Sequence, residues 1–535
     1  MQKKGSSWEK WGAASVTLLL AASLLGACSG GDNVPANSRD NGSAPSAGTA
    51  GNKDGAAAEP REPIVIKWMP LPGNLTDNSY AQTYMEAKFG VTIEPYIIPD
   101  GYMEKQQILL GSNDIPDIFY VPDPQYISRY AAQGLLAEVS PEVIEAHAPD
   151  TFKMLNAFAP QAWYYSNYDG ANYGLPTVYY TGQYNTKQLW RDDLLRQVGI
   201  DTIPVTLEEI EAAFAALKEI GVYGMTTNGH VDYNQFHSIF GAFGVMPIQW
   251  MERDGKVVNG ATQPEAREAL ALLADWFAKG YIDPEFVTGQ ELETKLVNGK
   301  VAFYDSGNNN ALDPDNPNSV ISKIKQLNPE GSIAFGELPK GPGGQHGWAW
   351  GTGGHIWAFG RQLEDEPEKL AKILEMINTI QNDEETFLAL AWGEEGKHWA
   401  YHDPERGAEG GLKRLPPYDD GAKLQAEGLR DSGLTTEFAN QGNPALFEKF
   451  TAKETLEQQK LYASPMSDLF GKAGVLPSAG QYWGDLSKLK IEAYTAIIYG
   501  NEPIAYFDEF VRQWNELGGA QLEQEANELY AQMQQ

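Results

Sequence analysis

Strands and helices alternate in the first part of the folded body, and this alternation limits the fold more than any other feature. Three short apolar runs are typical of buried strands: 63–69, 91–98 and 115–121. The two segments between them have helical spacing: 80–89 and 102–110. Such alternation predicts an α/β fold, with a parallel sheet covered by helices and ligands bound at the carboxyl ends of its strands. Residues 117–123 are expected at or near that edge.

The first 28 residues have the pattern of a secretory signal peptide. Three lysines precede an uncharged apolar stretch over 11–25, which is too short for a bilayer core of roughly 30 Å. The next residues, Leu-Gly-Ala-Cys28, resemble the bacterial lipobox, in which the cysteine thiol receives a diacylglycerol and becomes the first residue after cleavage. Cys28 is the only cysteine, so it cannot form an internal disulfide. We predict a signal peptide over 1–27, a membrane anchor at Cys28 and a flexible linker over 28–60.

Charge and missing motifs exclude several classes of function. The formal net charge of −32 repels phosphate backbones, so nucleic acid is not an expected partner. The sequence has no Walker-type phosphate loop, no zinc-binding pattern and no Gly-x-Ser-x-Gly elbow. The acidic turns at 199–204 and 313–317 lack the alternating carboxylates of a calcium loop. We therefore expect no cofactor and no metal.

A series of segments resembles, in order and spacing, the extracellular solute-binding lipoproteins of bacterial ABC importers, of the large sugar-binding type. These segments are 114–118, 134–138, 174–177, 184–186, 189–206, 298–302, 393–399 and 497–519. The resemblance implies two α/β lobes, each discontinuous in sequence, with the solute in the cleft between them. We place the N-terminal lobe at 61–178 and 352–462, and the C-terminal lobe at 183–350 and 465–535. Closure of such lobes is a hinge motion.

The resemblance also implies the function. The protein would be a monomeric, lipid-anchored component on the outer face of the cell membrane, extracellular in a Gram-positive cell. It would capture a carbohydrate, expected to be an oligosaccharide, and deliver it unaltered to an ABC permease, so no enzymatic activity is expected. Two alternatives stay open: an anchored glycoside hydrolase, suggested by Glu394 and Glu395, and a solute-sensing partner of a membrane kinase.

A sugar has C–H groups on its ring faces and hydroxyls on its rim, so its site needs aromatic planes and polar side chains. Trp250, just before a polar hairpin, resembles a pocket tryptophan of the family. Trp348 and Trp350 lie between glycines beside a crossover, where a core is not expected. The other aromatic candidates follow the first crossover, flank a glycine–glutamate turn or precede the C-terminal helix: Tyr179, Tyr180, Trp392, Trp399 and Trp483.

Acidic and amide side chains near the crossovers are the candidates for the polar rim. They are Asp117, Asp123, Asn308, Glu394 and Glu395, with Gln235 and His237 as weaker ones. In so acidic a chain, any single carboxylate is more often a solvated surface charge than a ligand contact. Asp117 is favoured because it falls within a predicted strand.

Overall fold

The structure is a computed structural model, and it describes residues 63–70, 76–98, 101–184, 187–308, 310–314, 316, 318–429, 442–461 and 468–534. All of them belong to one compact unit, Glu62–Gln535. The predicted signal peptide, Cys28 and the linker up to residue 60 lie outside the described residues and stay predictions. No helix in the described ranges is both long and apolar enough to cross a bilayer.

A five-stranded sheet carries the first half of the fold. Its strands, in spatial order, are Val91–Pro95, Ile64–Met69, Ile118–Val121, Gly353–Phe359 and Gly174–Val178. The first three pair in parallel, as the alternation of strands and helices predicts, whereas Gly353–Phe359 pairs antiparallel with both of its neighbours. The sheet is therefore mixed, and its parallel part has all its carboxyl ends at one edge.

A four-stranded sheet carries the second half. Its strands, in spatial order, are Ala334–Gly336, Lys187–Trp190, Val301–Gly307 and Tyr223–Thr226. Only the last two pair in parallel. Three two-stranded ribbons complete the strands: Asn167–Tyr168 with Ala171–Asn172, Trp250–Arg253 with Lys256–Asn259, and Trp399–Tyr401 with Leu412–Arg414.

The chain passes between the two sheets at crossovers that touch each other. It leaves the first sheet after Val178 and returns before Gly353. The outgoing and returning segments are tied by two backbone hydrogen bonds, from Gly351 N to the Gly182 carbonyl (2.9 Å) and from Tyr179 N to the Thr352 carbonyl (2.7 Å). Two sheets joined by paired crossovers form the two-lobed fold that the resemblance implies; the exact lobe boundaries stay predictions.

Nineteen α-helices are assigned in the described part of the chain. They are Tyr80–Phe89, Tyr102–Gly111, Pro124–Ala132, Pro141–His147, Pro149–Phe158, Asp192–Gln197, Leu207–Glu219, His237–Ala242, Pro264–Ala278, Leu292–Val297, Val320–Leu327, Pro367–Asn382, Glu384–Ala391, Gly421–Ala426, Pro444–Lys449, Lys453–Lys460, Ala479–Ile498, Tyr506–Trp514 and Ala520–Met533. The longest, Ala479–Ile498, packs on both Pro124–Ala132 and Pro264–Ala278, and so it joins the two halves.

Local sequence signals fix where several helices begin and end. Thr206 caps the helix Leu207–Glu219: its hydroxyl accepts from Glu209 N, and the Glu209 carboxylate accepts from Thr206 N (3.0 Å). This is a capping box, which satisfies N–H groups that have no partner inside the helix. Gly90 ends the first helix with φ 64°, a left-handed conformation that glycine adopts without strain.

Aromatic packing fills the core of each half. In the second half, Trp190 stacks on Phe303 with ring centres 4.3 Å apart and planes 9° apart, and Phe214 packs edge-on against Trp276. In the first half, Trp68 meets Trp357 edge to face. All these side chains are buried, so these rings serve packing rather than ligand binding.

Candidate functional site

A cavity of about 230 Å³ lies next to the carboxyl end of the strand Ile118–Val121. Residues of both halves, of the returning crossover and of the helix Ala479–Ile498 line it; we call it the aromatic cavity. The lining residues are Asp123, Gln125, Asp232, Tyr233, Ile248, Gln249, Trp348, Ala349, Trp350, Asp468, Gly471, Lys472, Gly474, Trp483, Gly484 and Ser487. The site thus lies where a parallel sheet presents its ligands, and both halves contribute to it.

Three aromatic rings form one corner of the cavity. Tyr233 stacks on Trp348, with ring centres 4.4 Å apart and planes 22° apart. Trp350 stands edge-on to both, 5.2 Å from Trp348 and 5.6 Å from Tyr233. Two flat faces at nearly a right angle complement the C–H faces of a bound ring.

Buried hydrogen bonds hold the Trp348 backbone in place. Trp348 N donates to Nδ1 of His237 (3.1 Å), and Nε2 of the same ring lies 2.7 Å from the Asp305 carbonyl oxygen. A ring that accepts at Nδ1 and faces a carbonyl at Nε2 is the neutral tautomer with its proton on Nε2. His237 therefore supports the backbone of the aromatic corner and does not itself line the cavity.

Two aspartates reach the cavity from opposite halves. Asp123 caps the helix Pro124–Ala132 and accepts from Gln125 N (3.2 Å); burial raises the pKa of its carboxyl, and the charge of Lys472 opposes this shift. Asp232 accepts from Tyr233 N (2.8 Å) and from the Ser487 hydroxyl (2.6 Å). Each carboxylate is fixed by the backbone, so it presents its remaining lone pairs to the cavity in a preset direction.

A third carboxylate, Asp468, closes the base of the cavity. Its two oxygens accept from Trp250 N (2.7 Å) and from Phe470 N (2.9 Å). Burial raises the pKa of Asp468 to about 7, in spite of these two hydrogen bonds. The carboxylate therefore ties the ribbon strand that begins at Trp250 to the segment after residue 467.

Lys472 is the only cation among the described residues that line the cavity. Its ammonium donates to the Pro122 carbonyl (3.3 Å) and lies 4.6 Å above the Trp350 ring and 5.3 Å from the Tyr165 ring. Burial lowers the pKa of Lys472 to about 8, and the nearby Asp123 charge opposes this shift. Its charge is thus already engaged by a carbonyl, two rings and a carboxylate.

Four of the twelve predicted ligand-binding residues line this cavity: Asp123, Trp348, Trp350 and Trp483. Trp483, on the long helix, packs with its ring centre 6.4 Å from that of Trp250. Trp250 itself is a correction, since it does not line the cavity and its side chain is fully buried against Trp483. The ribbon register turns Trp250 into the core, which sequence proximity to a hairpin does not reveal.

Asp117 is a second correction. It precedes the amino end of Ile118–Val121, opposite to the ligand-binding edge. Its carboxylate accepts from Lys67 N (2.9 Å) and from Gln362 Nε2 (2.8 Å), and it pairs with Lys369 Nζ at 3.4 Å. These partners make Asp117 a buried structural group.

The remaining candidates also lie outside the lining of the cavity. Tyr179 is at the crossover, and the Tyr180 hydroxyl donates to Glu448 (2.6 Å). Asn308 is exposed after its strand and caps the following turn through Asn310 N. Trp392 is covered by the Arg414 guanidinium, 4.5 Å from its ring centre, and Trp399 is buried.

Glu394 and Glu395 are exposed on a turn that closes on itself. Glu394 N donates to Nδ1 of the buried His398 (2.8 Å), and His398 N donates back to the Glu394 carbonyl. Neither glutamate lines the aromatic cavity. The two carboxylates that suggested a hydrolase therefore lie outside the cavity in this conformation.

Several lining residues were not among the twelve predicted ones: Gln125, Asp232, Tyr233, Gln249, Asp468, Lys472 and Ser487. A helical signal could have revealed one of them, because Gly480, Trp483, Gly484 and Ser487 follow the three-and-four spacing of one helix face. Tyr233 lies in the same polar-aromatic stretch as the weaker candidates Gln235 and His237, which are buried beside it. Asp468 and Lys472 have no local pattern at all.

No cluster of three or more His, Cys, Asp or Glu side chains arranged for a metal ion occurs among the residues that the structure covers. The cavity offers carboxylates, amides, one ammonium and aromatic faces. This set can bind a polyhydroxylated ring reversibly, through hydrogen bonds at its rim and stacking on its faces.

Comparison with known proteins agrees with this description. The family model described as bacterial extracellular solute-binding protein matches residues 72–361. The polygalacturonan/rhamnogalacturonan-binding protein YtcQ of Bacillus subtilis (strain 168) is 22% identical over 546 residues, covering 98% of this chain and 99% of YtcQ.

Solved structures share the architecture at low sequence identity. The S. pneumoniae ABC-transporter substrate-binding protein FusA in complex with kestose superposes with a TM-score of 0.65 and 17% identity, covering 88% of this chain and 99% of FusA. The alginate-binding protein AlgQ2 without calcium ion superposes with a TM-score of 0.63 and 14% identity, covering 88% and 98% of the two chains. Likeness at this level of identity concerns the fold.

Proposed function

The chain belongs to the family of bacterial extracellular solute-binding proteins, and from this premise we propose that it captures an oligosaccharide in the aromatic cavity and delivers it to an ABC permease. The observation that carries the proposal is the corner of Tyr233, Trp348 and Trp350 at the sheet edge, surrounded by fixed polar groups. YtcQ and AlgQ2 are named for glycans that they bind, and FusA was solved in complex with kestose. Either an acidic glycan, as in the name of YtcQ, or an uncharged one such as kestose fits this general function.

A glycan panel tests the proposal. Isothermal titration of the purified protein is expected to show saturable binding of at least one oligosaccharide, with recovery of the same oligosaccharide after denaturation. A panel of neutral and acidic glycans without any binding would contradict carbohydrate capture. New reducing ends during incubation would instead favour the hydrolase alternative.

Capture by a cleft requires that the two halves close around the solute. We place the hinge at the paired crossovers, where the bonds between Gly351 and Gly182 and between Tyr179 and Thr352 fix the two segments side by side. A ligand shifts an open–closed equilibrium by its higher affinity for the closed state. The radius of gyration in small-angle X-ray scattering should therefore fall when a binding glycan is added, and an unchanged value would contradict the closure.

The anchor is proposed from the sequence pattern around Cys28. A lipidated Cys28 followed by a flexible linker would hold the folded body at the outer face of the membrane, near its permease. The proposal predicts a diacylglyceryl mass on the N-terminal peptide of the protein isolated from a bacterial membrane. A Cys28→Ala variant should lose this mass and the membrane association.

A further inference from the structure

The charges around the aromatic cavity are predominantly negative. Three carboxyl groups line it, Asp123, Asp232 and Asp468, against the single ammonium of Lys472. Burial raises the pKa of Asp123 and raises that of Asp468 to about 7, so the negative charge of the cavity is largest above that pH. The whole chain adds a formal charge of −32, so no long-range positive field offsets the local one. A carboxylate that enters this cavity meets net repulsion, which grows as water is displaced.

Lys472 does not supply a free anion site. Its ammonium donates to the Pro122 carbonyl and lies over the Trp350 ring, and the Asp123 carboxylate is the neighbouring charge. Turning it toward a ligand carboxylate would remove these contacts and leave Asp123 without its counter-charge. The cost of that rearrangement offsets the gain from a new ion pair.

Gln249 supplies the group that an uncharged sugar needs. Its side chain is 2% exposed and lines the cavity, and its Oε1 has no hydrogen-bond partner among the described residues. A buried amide oxygen without a partner is costly unless a ligand donates to it. A sugar hydroxyl can donate, whereas an ionised carboxylate only accepts.

We infer that the aromatic cavity selects an uncharged glycan over the uronic-acid form of the same glycan, with the Gln249 amide bound to ring hydroxyls. This inference rests on the proposed function and specifies its ligand class. Stacking on Trp348 is available to both forms, so the discrimination arises from the three carboxylates and from Gln249. It runs against the acidic glycan in the name of the Bacillus relative.

Matched glycans test the selection directly. The probes are neutral trisaccharides, each paired with the uronate of the same rings and linkages, including the trimethyl ester of trigalacturonate paired with trigalacturonate itself. In isothermal titrations of the full chain at low salt, the uncharged member of every binding pair should bind at least about tenfold more tightly. The ratio should shrink at high salt. A uronate that binds as tightly as its neutral partner would overturn the inference but leave carbohydrate capture intact.

Two variants separate the local charge from the global one. Asp232→Asn removes one cavity charge, while its amide can still bond Tyr233 N and the Ser487 hydroxyl. It should lower the neutral-to-acidic affinity ratio at least about threefold. Glu492→Gln removes an exposed charge on the same helix and should leave the ratio unchanged. An unchanged ratio in folded Asp232→Asn would contradict the inference, and failure of all glycans to bind would contradict both it and the proposed function.

Discussion

The two ends of a single short strand, Ile118–Val121, show how differently the same residue types are used. Asp117 precedes the strand and pairs with Lys369, whereas Asp123 follows it and faces Lys472. A groove of about 510 Å³ lies at the Asp117 end, and the aromatic cavity of about 230 Å³ lies at the Asp123 end. The larger space is at the end that we do not assign to the ligand.

The polar groups around Asp117 are already paired with each other. Asp117 is bonded to Lys67 N, Gln362 and Lys369, and none of the described residues that line the groove is aromatic. Partial burial acts against the charge of Lys369, but its contacts with Glu366 and Asp117 raise its pKa above the ordinary value. These charges satisfy each other and leave little for a ligand to add.

The Asp123 end has groups that a ligand can still contact. Its aromatic rings line the cavity, the Gln249 amide oxygen has no hydrogen-bond partner among the described residues, and burial lowers the pKa of Lys472 although its ammonium has partners. We therefore place the proposed site by its unpartnered amide oxygen and its aromatic rings at the carboxyl edge, and not by volume.

The largest expected effect concerns stability at the Asp117 end. Asp117→Ala should lower the free energy of unfolding by about 3 kcal/mol, because it leaves two N–H donors without their acceptor and removes one of the two carboxylates beside Lys369. Glycan affinity should stay within about twofold of the unmodified protein. Urea unfolding and isothermal titration measure the two quantities. A large loss of affinity at unchanged stability would reverse the roles that we give to the two ends.

The control for this variant is Asp114→Ala in the same groove. Asp114 is half-exposed, lies 4.0 Å from Lys67 and accepts an exposed hydrogen bond from the Tyr96 hydroxyl (2.6 Å), so its loss should cost only about 1 kcal/mol. An equal loss of stability in both variants would show that the burial of Asp117 does not strengthen its interactions.

Filling the cavity is the next largest effect. A Cβ added to Gly484 meets nothing within 4 Å, and the residue is exposed in the middle of the helix Ala479–Ile498. Gly484→Trp therefore fits the helix and places an indole in the cavity, so the affinity for a glycan should fall at least about a hundredfold, or about 2.7 kcal/mol. Isothermal titration gives the affinity, and the melting temperature reports whether the fold is intact.

Two matched variants sharpen this test. Gly484→Ala replaces the glycine without filling the cavity. It should bind the glycan normally, and its free energy of unfolding should rise by up to about 1 kcal/mol. Val65→Trp puts the same indole into the groove at the Asp117 end, where Val65 is 41% exposed. Loss of binding in Val65→Trp would move the site to the other end of the strand.

Removing one stacking face comes third. Trp348→Ala keeps the backbone N–H that bonds His237, so the crossover stays in place while the indole is lost. The affinity should fall roughly tenfold, or about 1.4 kcal/mol, as expected for one aromatic contact. Trp392→Ala is the control, since Arg414 covers that ring away from the cavity. Similar losses in both variants would show that stacking at Trp348 is not specific.

Residue patterns predicted those parts of the structure that depend on neighbouring residues. Helical spacing located the helices Tyr80–Phe89 and Tyr102–Gly111, and the glycines around Trp348 and Trp350 indicated rings outside a regular core. These signals depend on a few consecutive residues, so folding does not alter them.

The errors come from information that only the assembled chain contains. Asp117 and Asp123 are six residues apart, and the pattern could not show that the strand separates them to opposite edges. Trp250 faces inward because of ribbon register and the packing of Trp483. Lys472 reaches the cavity more than one hundred residues after Trp350, so only tertiary structure brings the two together.

The smallest expected effect is on the pH dependence of stability, and it distinguishes Lys472 from Lys369. Burial lowers the pKa of Lys472 to about 8 in the folded protein, against about 10.4 in an unfolded chain. Above pH 8 the folded state releases this proton while the unfolded state keeps it, so stability rises with pH, by about 1 kcal/mol between pH 8 and 9. Urea unfolding should show this rise relative to Lys472→Met, which lacks the group.

Lys369→Met serves as the opposite control. The raised pKa of Lys369 keeps it charged through this window, so its removal should not change the slope of stability between pH 8 and 9. If Lys472→Met kept the full rise, the ammonium would titrate as an exposed group. Lys472 would then be hydrated instead of desolvated in the cavity wall. The contrast that we draw between the Asp123 end and the Asp117 end would no longer hold for this lysine.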